Sequence, residues 1–279
     1  MNISSTRNSS IHSEEEWEYI VKPFFVISIH MLNYLLGLPL NSYVMVLLLH
    51  GCRRLDPCDV FTLNQAAVEI FFLFLGPFHI MCDVKMDLCF YDVIGFFVGV
   101  GMLVRSLFQC WVCLERYVAV IHPITFLMFR PLRYRVVICV VTWTSGLACG
   151  VVCMFMFPFL PYRVILAYAV IVLSIHVFSC MSILYKLRHP GPGERNADRA
   201  TEDRAKKRAF HIVVINLLTF LVQNTPFSVV FCMQDTLSMM DFSLALAISL
   251  AINIMMGFMN PVFVLLKAGK LSFLKSACF

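Results

Sequence analysis

Seven stretches of this chain are apolar at almost every position, near residues 23–49, 60–81, 89–116, 134–157, 162–186, 209–233 and 242–266. A helix of about 20 such residues crosses the hydrocarbon core of a bilayer, so each stretch predicts a membrane-spanning helix. Pro39, Pro77, Pro226 and Pro261 fall inside them. A soluble helix tolerates such prolines poorly, but in a membrane bundle neighbouring helices and polar side chains satisfy the freed carbonyls, so the pattern predicts kinks. The first stretch is longer than a signal core and no basic region precedes it, which predicts a retained span.

Composition agrees with the pattern. Of the residues, 60% are hydrophobic and 14% charged, and the mean hydropathy is +0.81. Soluble domains carry roughly a quarter charged residues. Seven spans with short connections use up the 279 residues, leaving no room for a sizeable soluble domain. The expected fold is an all-α membrane protein, a seven-transmembrane-helix bundle over residues 23–267. An N-terminal tail, 1–22, precedes it and a short tail, 268–279, follows.

Charge then orients the bundle, because cytoplasmic connections retain Lys and Arg. With the N-terminus outside, the inner side receives Arg53, Arg54, Arg116, Arg130, Arg133, Arg135, the basic run from Lys186 to Arg208, and Lys267, Lys270 and Lys275. The outer side receives only Arg7, Lys22, Lys85 and Arg163. The net charge of +5 is therefore a consequence of topology and implies no nucleic-acid partner. The N-terminal tail suits the outside: Asn2 and Asn8 stand in N-x-S patterns, expected glycosylation sites, and an acidic run follows at Glu14, Glu15, Glu16 and Glu18. The connection from His189 to Arg208 opens with Pro and Gly, continues with mixed charge, and is expected to become helical as it enters the sixth span.

Catalytic signatures are missing: there is no HExxH, no GxSxG and no phosphate-binding glycine loop, and the histidines are scattered singly. No enzyme, cofactor or metal is expected. Cys110 and Cys113, although spaced C-x-x-C, sit within a span and read as small apolar packers. Two charges lie deep in the spans. Glu69 is nine residues from Val60 and Arg105 eleven from Arg116, which puts them roughly 14 and 16 Å in at 1.5 Å per residue. Isolated charges at mid-membrane cost at least ~2.5 kcal/mol each, so their equal depth predicts an ion pair between adjacent antiparallel helices. A buried acid and base also fit a proton path, which makes a multipass transporter the rival class.

An ordered set of motifs weighs against the transporter and leaves it as the alternative. The apolar run QCWVCLERYVAVIHP ends in Glu115-Arg116-Tyr117 at the cytoplasmic end of the third span, with His122-Pro123 following. Asn41 stands in GLPLN of the first span, Trp143 in VVTWTSG of the fourth, Phe220 and Pro226 in FLVQNTP of the sixth, and Asn260-Pro261 in MNPVFV of the seventh. In this order the set resembles the rhodopsin-like (class A) G-protein-coupled receptors, and GLPLN, ERYVAVIHP and KKRAF look most like their nucleotide, protease-activated, lipid and chemokine branch. The resemblance implies a plasma-membrane receptor. It would bind an extracellular ligand, sit in a lipid bilayer and open its inner face to a heterotrimeric G protein. It further implies that Glu115 pairs with Arg116 at rest, and that Arg116, Tyr117, His122, Pro123, Ile124, Lys206 and Lys207 form the coupling surface. Glu69 stands where the family carries its second-span aspartate. Arg105 stands where a small polar residue helps that aspartate hold a sodium ion, so a guanidinium there is expected to replace the cation.

Departures from the family pattern matter too. Asn224 occupies the place of the sixth-span tryptophan and Val264 that of the seventh-span tyrosine. The connection between the fourth and fifth spans, Phe157 to Tyr162, is too short to carry the usual lid loop. Of the family disulfide, Cys89 is the expected third-span half, with Cys153 the alternative partner because the usual one is missing. These changes keep open a non-signalling decoy receptor. The ligand pocket is expected in the outer half, near His79, Phe227 and Phe231 with His30 and Gln234 at its rim. Lacking basic side chains there, it would take an apolar or weakly polar ligand.

Overall fold

The computed structural model describes residues 21–50, 59–84, 90–129, 131–156, 162–188, 199–233 and 235–267. These form helices α1 (Lys22–His50), α2 (Asp59–Leu73), α3 (Leu75–Val84), α4 (Tyr91–Ile121), α5 (Pro123–Met128), α6 (Leu132–Met156), α7 (Tyr162–Arg188), α8 (Arg199–Cys232), α9 (Met239–Met256) and α10 (Met259–Lys267). No strand occurs among the described residues. Seven segments are long and apolar enough to cross a membrane: 23–50, 60–82, 91–121, 132–156, 166–186, 213–232 and 240–265. Their limits follow the sequence reading closely, except that the third span continues five residues past Arg116. The inner connection also behaves as expected, with helix from Arg199 onward leading into the sixth span.

The prolines divide into two kinds. Helices α1 and α8 run on through Pro39 and Pro226, whereas the second and seventh spans are each broken in two. In an uninterrupted second span the N–H of residue 77 would bond to the carbonyl of Leu73. Pro77 has no N–H, and its ring crowds that carbonyl. The helix accordingly breaks at Phe74, whose N–H turns back to the Phe71 carbonyl at 3.2 Å. The abandoned Leu73 carbonyl accepts instead from the Tyr34 hydroxyl of α1, at 2.6 Å. Tyr34→Phe would strand that acceptor at a cost of about 1–3 kcal/mol. Its melting temperature should fall by a few degrees, and an unchanged value would show that the carbonyl has another donor. In the seventh span the break falls at Gly257 and Phe258, four and three residues before Pro261, with the Gly257 N–H on Ile254 O at 3.1 Å.

The third span is the axis of the bundle. Its most apolar window is 61% buried, against 22% for the first, fifth and seventh spans. Lipid is as apolar as a leucine core, so helices in membranes associate through close packing and polar contacts. Here the fourth span packs directly on the third. A Cβ on Gly146 would overlap Val104 Cγ2, and one on Gly150 would lie 2.5 Å from Val100 Cγ2. Two indoles tie the layer further: Trp111 Nε1 donates to Thr142 Oγ1 at 3.0 Å, and Trp143 Nε1 to Asn64 Oδ1 at 2.9 Å.

Candidate functional site

At mid-depth the structure brings Glu69 and Arg105 together. Arg105 Nη2 lies 2.5 Å from Glu69 Oε2, and both side chains are buried. The guanidinium also covers the Phe72 ring at 4.0 Å, and its Nη1 donates to Asn253 Oδ1 of α9 at 2.7 Å. Asn253 in turn donates through Nδ2 to the Gln223 carbonyl of α8, at 3.2 Å and three residues before Pro226. Gln223 closes the circuit by accepting from Gln109 of the third span, Nε2 to Oε1 at 3.3 Å. One charge-assisted chain thus joins the second, third, sixth and seventh spans. Without lipid-side partners for polar groups, such a chain holds helices in one register.

The break in the seventh span makes room for it. A Cβ on Gly257 would stand 2.5 Å from Glu69 Oε2, so only glycine lets the carboxylate lie against this backbone. On the cytoplasmic side of Glu69 a small cavity is lined by Asn41, Gln65, Glu69, Asn260, Pro261 and Val264 among others. Four of the sequence-selected positions, Asn41, Glu69, Asn260 and Pro261, therefore share one space. Val264 also faces it, and lacks the polar reach of the tyrosine it replaces. The donor set beside Glu69 does not fit a sodium ion, because a guanidinium already supplies the positive charge to that carboxylate.

At the inner end the structure departs from the resemblance. Glu115 is paired with Arg135 of α6, Nη1 to Oε1 at 2.5 Å, with both side chains buried. Among the described residues Arg116 makes no ion pair. Glu115 and Arg116 are successive on a helix and point about 100° apart, so an acid turned toward the fourth span is turned away from its neighbour. Arg135 lies in the first turn of α6, where the helix dipole disfavours a cation, and the Glu115 carboxylate offsets that. Tyr117 stacks edge-on against His122 at 5.9 Å and tilts on Phe178 at 5.5 Å. His122, Pro123 and Ile124 are exposed. Lys206 and Lys207 lie on α8, and their side chains fall outside the description.

Residues 40–160, from the end of GLPLN through the fourth span, match the family model of the 7 transmembrane receptor (rhodopsin family). Seven spans complete the architecture that this match begins. Over that segment the chain is similar to the rhodopsin family of receptors. It is a multi-pass membrane protein of the plasma-membrane receptor type, and neither the transporter nor the decoy reading is favoured by these findings.

In this receptor the remaining predicted positions scatter. Phe220 is buried and stacks on His176 of the fifth span at 5.0 Å. Asn224 turns its amide back to the Phe220 carbonyl at 3.0 Å. The expected pocket residues form two groups. His30 and His79 meet between the first and second spans, in a cleft also lined by Ile29, Leu250, Ala251 and Ile254 of the first and seventh. Phe227 packs on Phe231 at 4.7 Å, and Phe231 meets Phe242 of the seventh span at 6.2 Å. Neither phenylalanine lines the cleft. Gln234, Asn2, Asn8 and Cys89 lie outside the described residues.

The disulfide alternative is corrected: Cys153 carries a free thiol. Its side chain is turned inward onto the third span, where a Cβ on Gly99 would come within 2.7 Å of its Sγ, and not outward toward a loop. Cys82, at the outer end of the second span, is disulfide-bonded, and the other described cysteines are free. Sequence reasoning missed Asn253, Gln223 and Gln109, although uncharged amides inside apolar runs are a signal of their own. It also placed Arg135 among the loop charges.

Proposed function

We propose that this receptor passes the binding of an apolar or weakly polar extracellular ligand to a heterotrimeric G protein, with Arg116 as the coupling residue. The observation that carries this reading is the inner end of the third span. Arg116 makes no ion pair with Glu115, which is taken up by Arg135, and the chain beyond it continues into α5, which carries exposed apolar side chains. There Ile124 is 78% exposed, beside Leu127, Met128 and Phe129, all exposed as well. Apolar side chains exposed beyond the inner end of a span suit a protein partner. In this scheme the mid-membrane chain from Glu69 to Gln223 holds the sixth span in, and a ligand that favours the outward position shifts the population toward coupling. The apolar ligand class rests on Phe227, Phe231 and Phe242, with no basic side chain among them.

The test is guanine-nucleotide exchange on added G proteins in membranes bearing the receptor, run beside proton and ion flux in liposomes. Exchange should exceed that of membranes without the receptor, and Arg116→Ala should abolish the excess while Ile124→Ala reduces it severalfold. Flux without exchange would reverse the assignment in favour of a transporter. Potent activation by a nucleotide, lost on neutralising Lys85 or Arg163, would overturn the ligand class. A second reading, a decoy that binds without signalling, draws on Asn224 and Val264, whose side chains lack the aromatic bulk that the family places there. Strong agonist-dependent exchange would remove it.

A further inference from the structure

We infer that His30 and His79 form a transition-metal site at the outer end of the bundle, selective for zinc and copper over magnesium and calcium. The two imidazoles come from different spans and meet directly, His30 Nε2 to His79 Nδ1 at 3.0 Å, with ring centroids 5.3 Å apart and planes at 81°. His30 is buried, and the pair borders the cleft lined by Phe25, Ile29, Leu250 and Ile254. Two nitrogens bound to one tetrahedral zinc at 2.0–2.1 Å lie about 3.3 Å apart, so the ligand atoms need to separate by only a few tenths of an ångström.

The rings need no translation either. With each centroid about 1.1 Å behind its ligating nitrogen, a tetrahedral centre puts the two centroids roughly 5.2 Å apart, which is the present spacing. What changes is tilt, each ring pivoting so that both lone pairs converge on one point. Protons balance without loss. One imidazole now donates the shared N–H to the other, and on metal binding that proton moves to the far nitrogen of the same ring. Both ligands stay neutral and the charge of the site rises by that of the ion.

Imidazole nitrogen selects borderline metals over oxygen-seeking ones, and affinity rises from zinc to copper. Among the described residues no third His, Cys, Asp or Glu joins the pair, so the two imidazoles are the ligands on which the site is argued. Space at the far side of His30 is kept by Gly76, where a Cβ would stand 3.0 Å from His30 Nδ1 and 3.2 Å from the Tyr34 hydroxyl. Because the cleft is bounded by the first, second and seventh spans, a bound ion would tie the first span to the rest of the bundle from outside.

The experiment uses the purified full chain. Copper(II) added at one equivalent should give an electron paramagnetic resonance spectrum with hyperfine structure from two nitrogens, reduced to one in His30→Gln and in His79→Gln. Zinc chloride, but not magnesium chloride, should raise the melting temperature of the wild-type receptor in a saturable way, and either variant should abolish the rise. If copper shows no nitrogen coupling in the wild type, or if the zinc effect persists in both variants, the histidines are a hydrogen-bonded pair only. The readouts need no G protein, so they stand or fall separately from the coupling proposal. A variant that fails to fold is recognised by a lost melting transition without metal, and His79→Asn then replaces it.

Discussion

Replacing Glu69 or Arg105 by Gln, one at a time, is expected to lower the melting temperature of the purified receptor more than replacing both together. Each single change leaves one charge buried at mid-membrane without its partner, a loss on the order of 3–5 kcal/mol for a buried pair. The double change removes both desolvation costs and leaves two amides that hydrogen-bond across the same gap. Additive losses in the cycle would mean that the 2.5 Å contact between these side chains contributes no coupling. The same residues predict the response to salt. With Arg105 in place, exchanging sodium for potassium should change neither melting temperature nor ligand affinity. Arg105→Ser, which empties the guanidinium's volume beside the carboxylate, should gain a sodium-dependent rise in melting temperature. A sodium effect in the wild type would place a cation where the structure places Arg105.

Asn253→Ala is expected to raise ligand-free nucleotide exchange while lowering thermal stability. The asparagine is the sole link in the described chain between the Arg105 guanidinium and the sixth-span backbone, through bonds of 2.7 and 3.2 Å. Hydrogen bonds to charged groups contribute about 1.5–3 kcal/mol. Removing a link of that size from the resting arrangement alone shifts its population by roughly tenfold or more, since 1.4 kcal/mol is a factor of ten. Exchange assays without ligand, on wild type and variant matched for surface expression, measure this directly. A fall in stability with basal exchange unchanged would show that the chain fastens both states equally and gates neither.

The spans, their order and their orientation were legible because hydropathy and Lys/Arg placement report on depth along the membrane normal. Depth also brought out Glu69 and Arg105, whose positions along their helices could be counted from the span ends. What hydropathy does not report is rotation about the helix axis. A helix that is apolar toward lipid and apolar toward its neighbours carries no stripe to say which side faces in. Cys153 looked available to an outer loop and instead faces Gly99, and Arg135 looked like an interfacial cation and instead turns to Glu115. The residues expected at the pocket divide between two groups of contacts for the same reason. His79 and Phe227 lie in outer halves of their spans, but their helices turn them toward different neighbours. Asn253 was invisible as a partner until Arg105 was seen to carry a second free N–H toward the seventh span.

The contact between Glu69 and Arg105 has a bearing on how the chain is made. The two residues lie in consecutive spans, joined by the short outer connection between Val84 and Tyr91. During synthesis the second span would therefore meet the insertion machinery carrying an acid whose counter-charge has not yet emerged. Entering lipid alone would cost it at least ~2.5 kcal/mol. Waiting for the third span lets the two helices leave as a hairpin with the charges already neutralised. Assembly order is thus written into the same pair that holds the finished bundle, and loss of either residue should show first as material retained and degraded in the cell, before any question of binding arises.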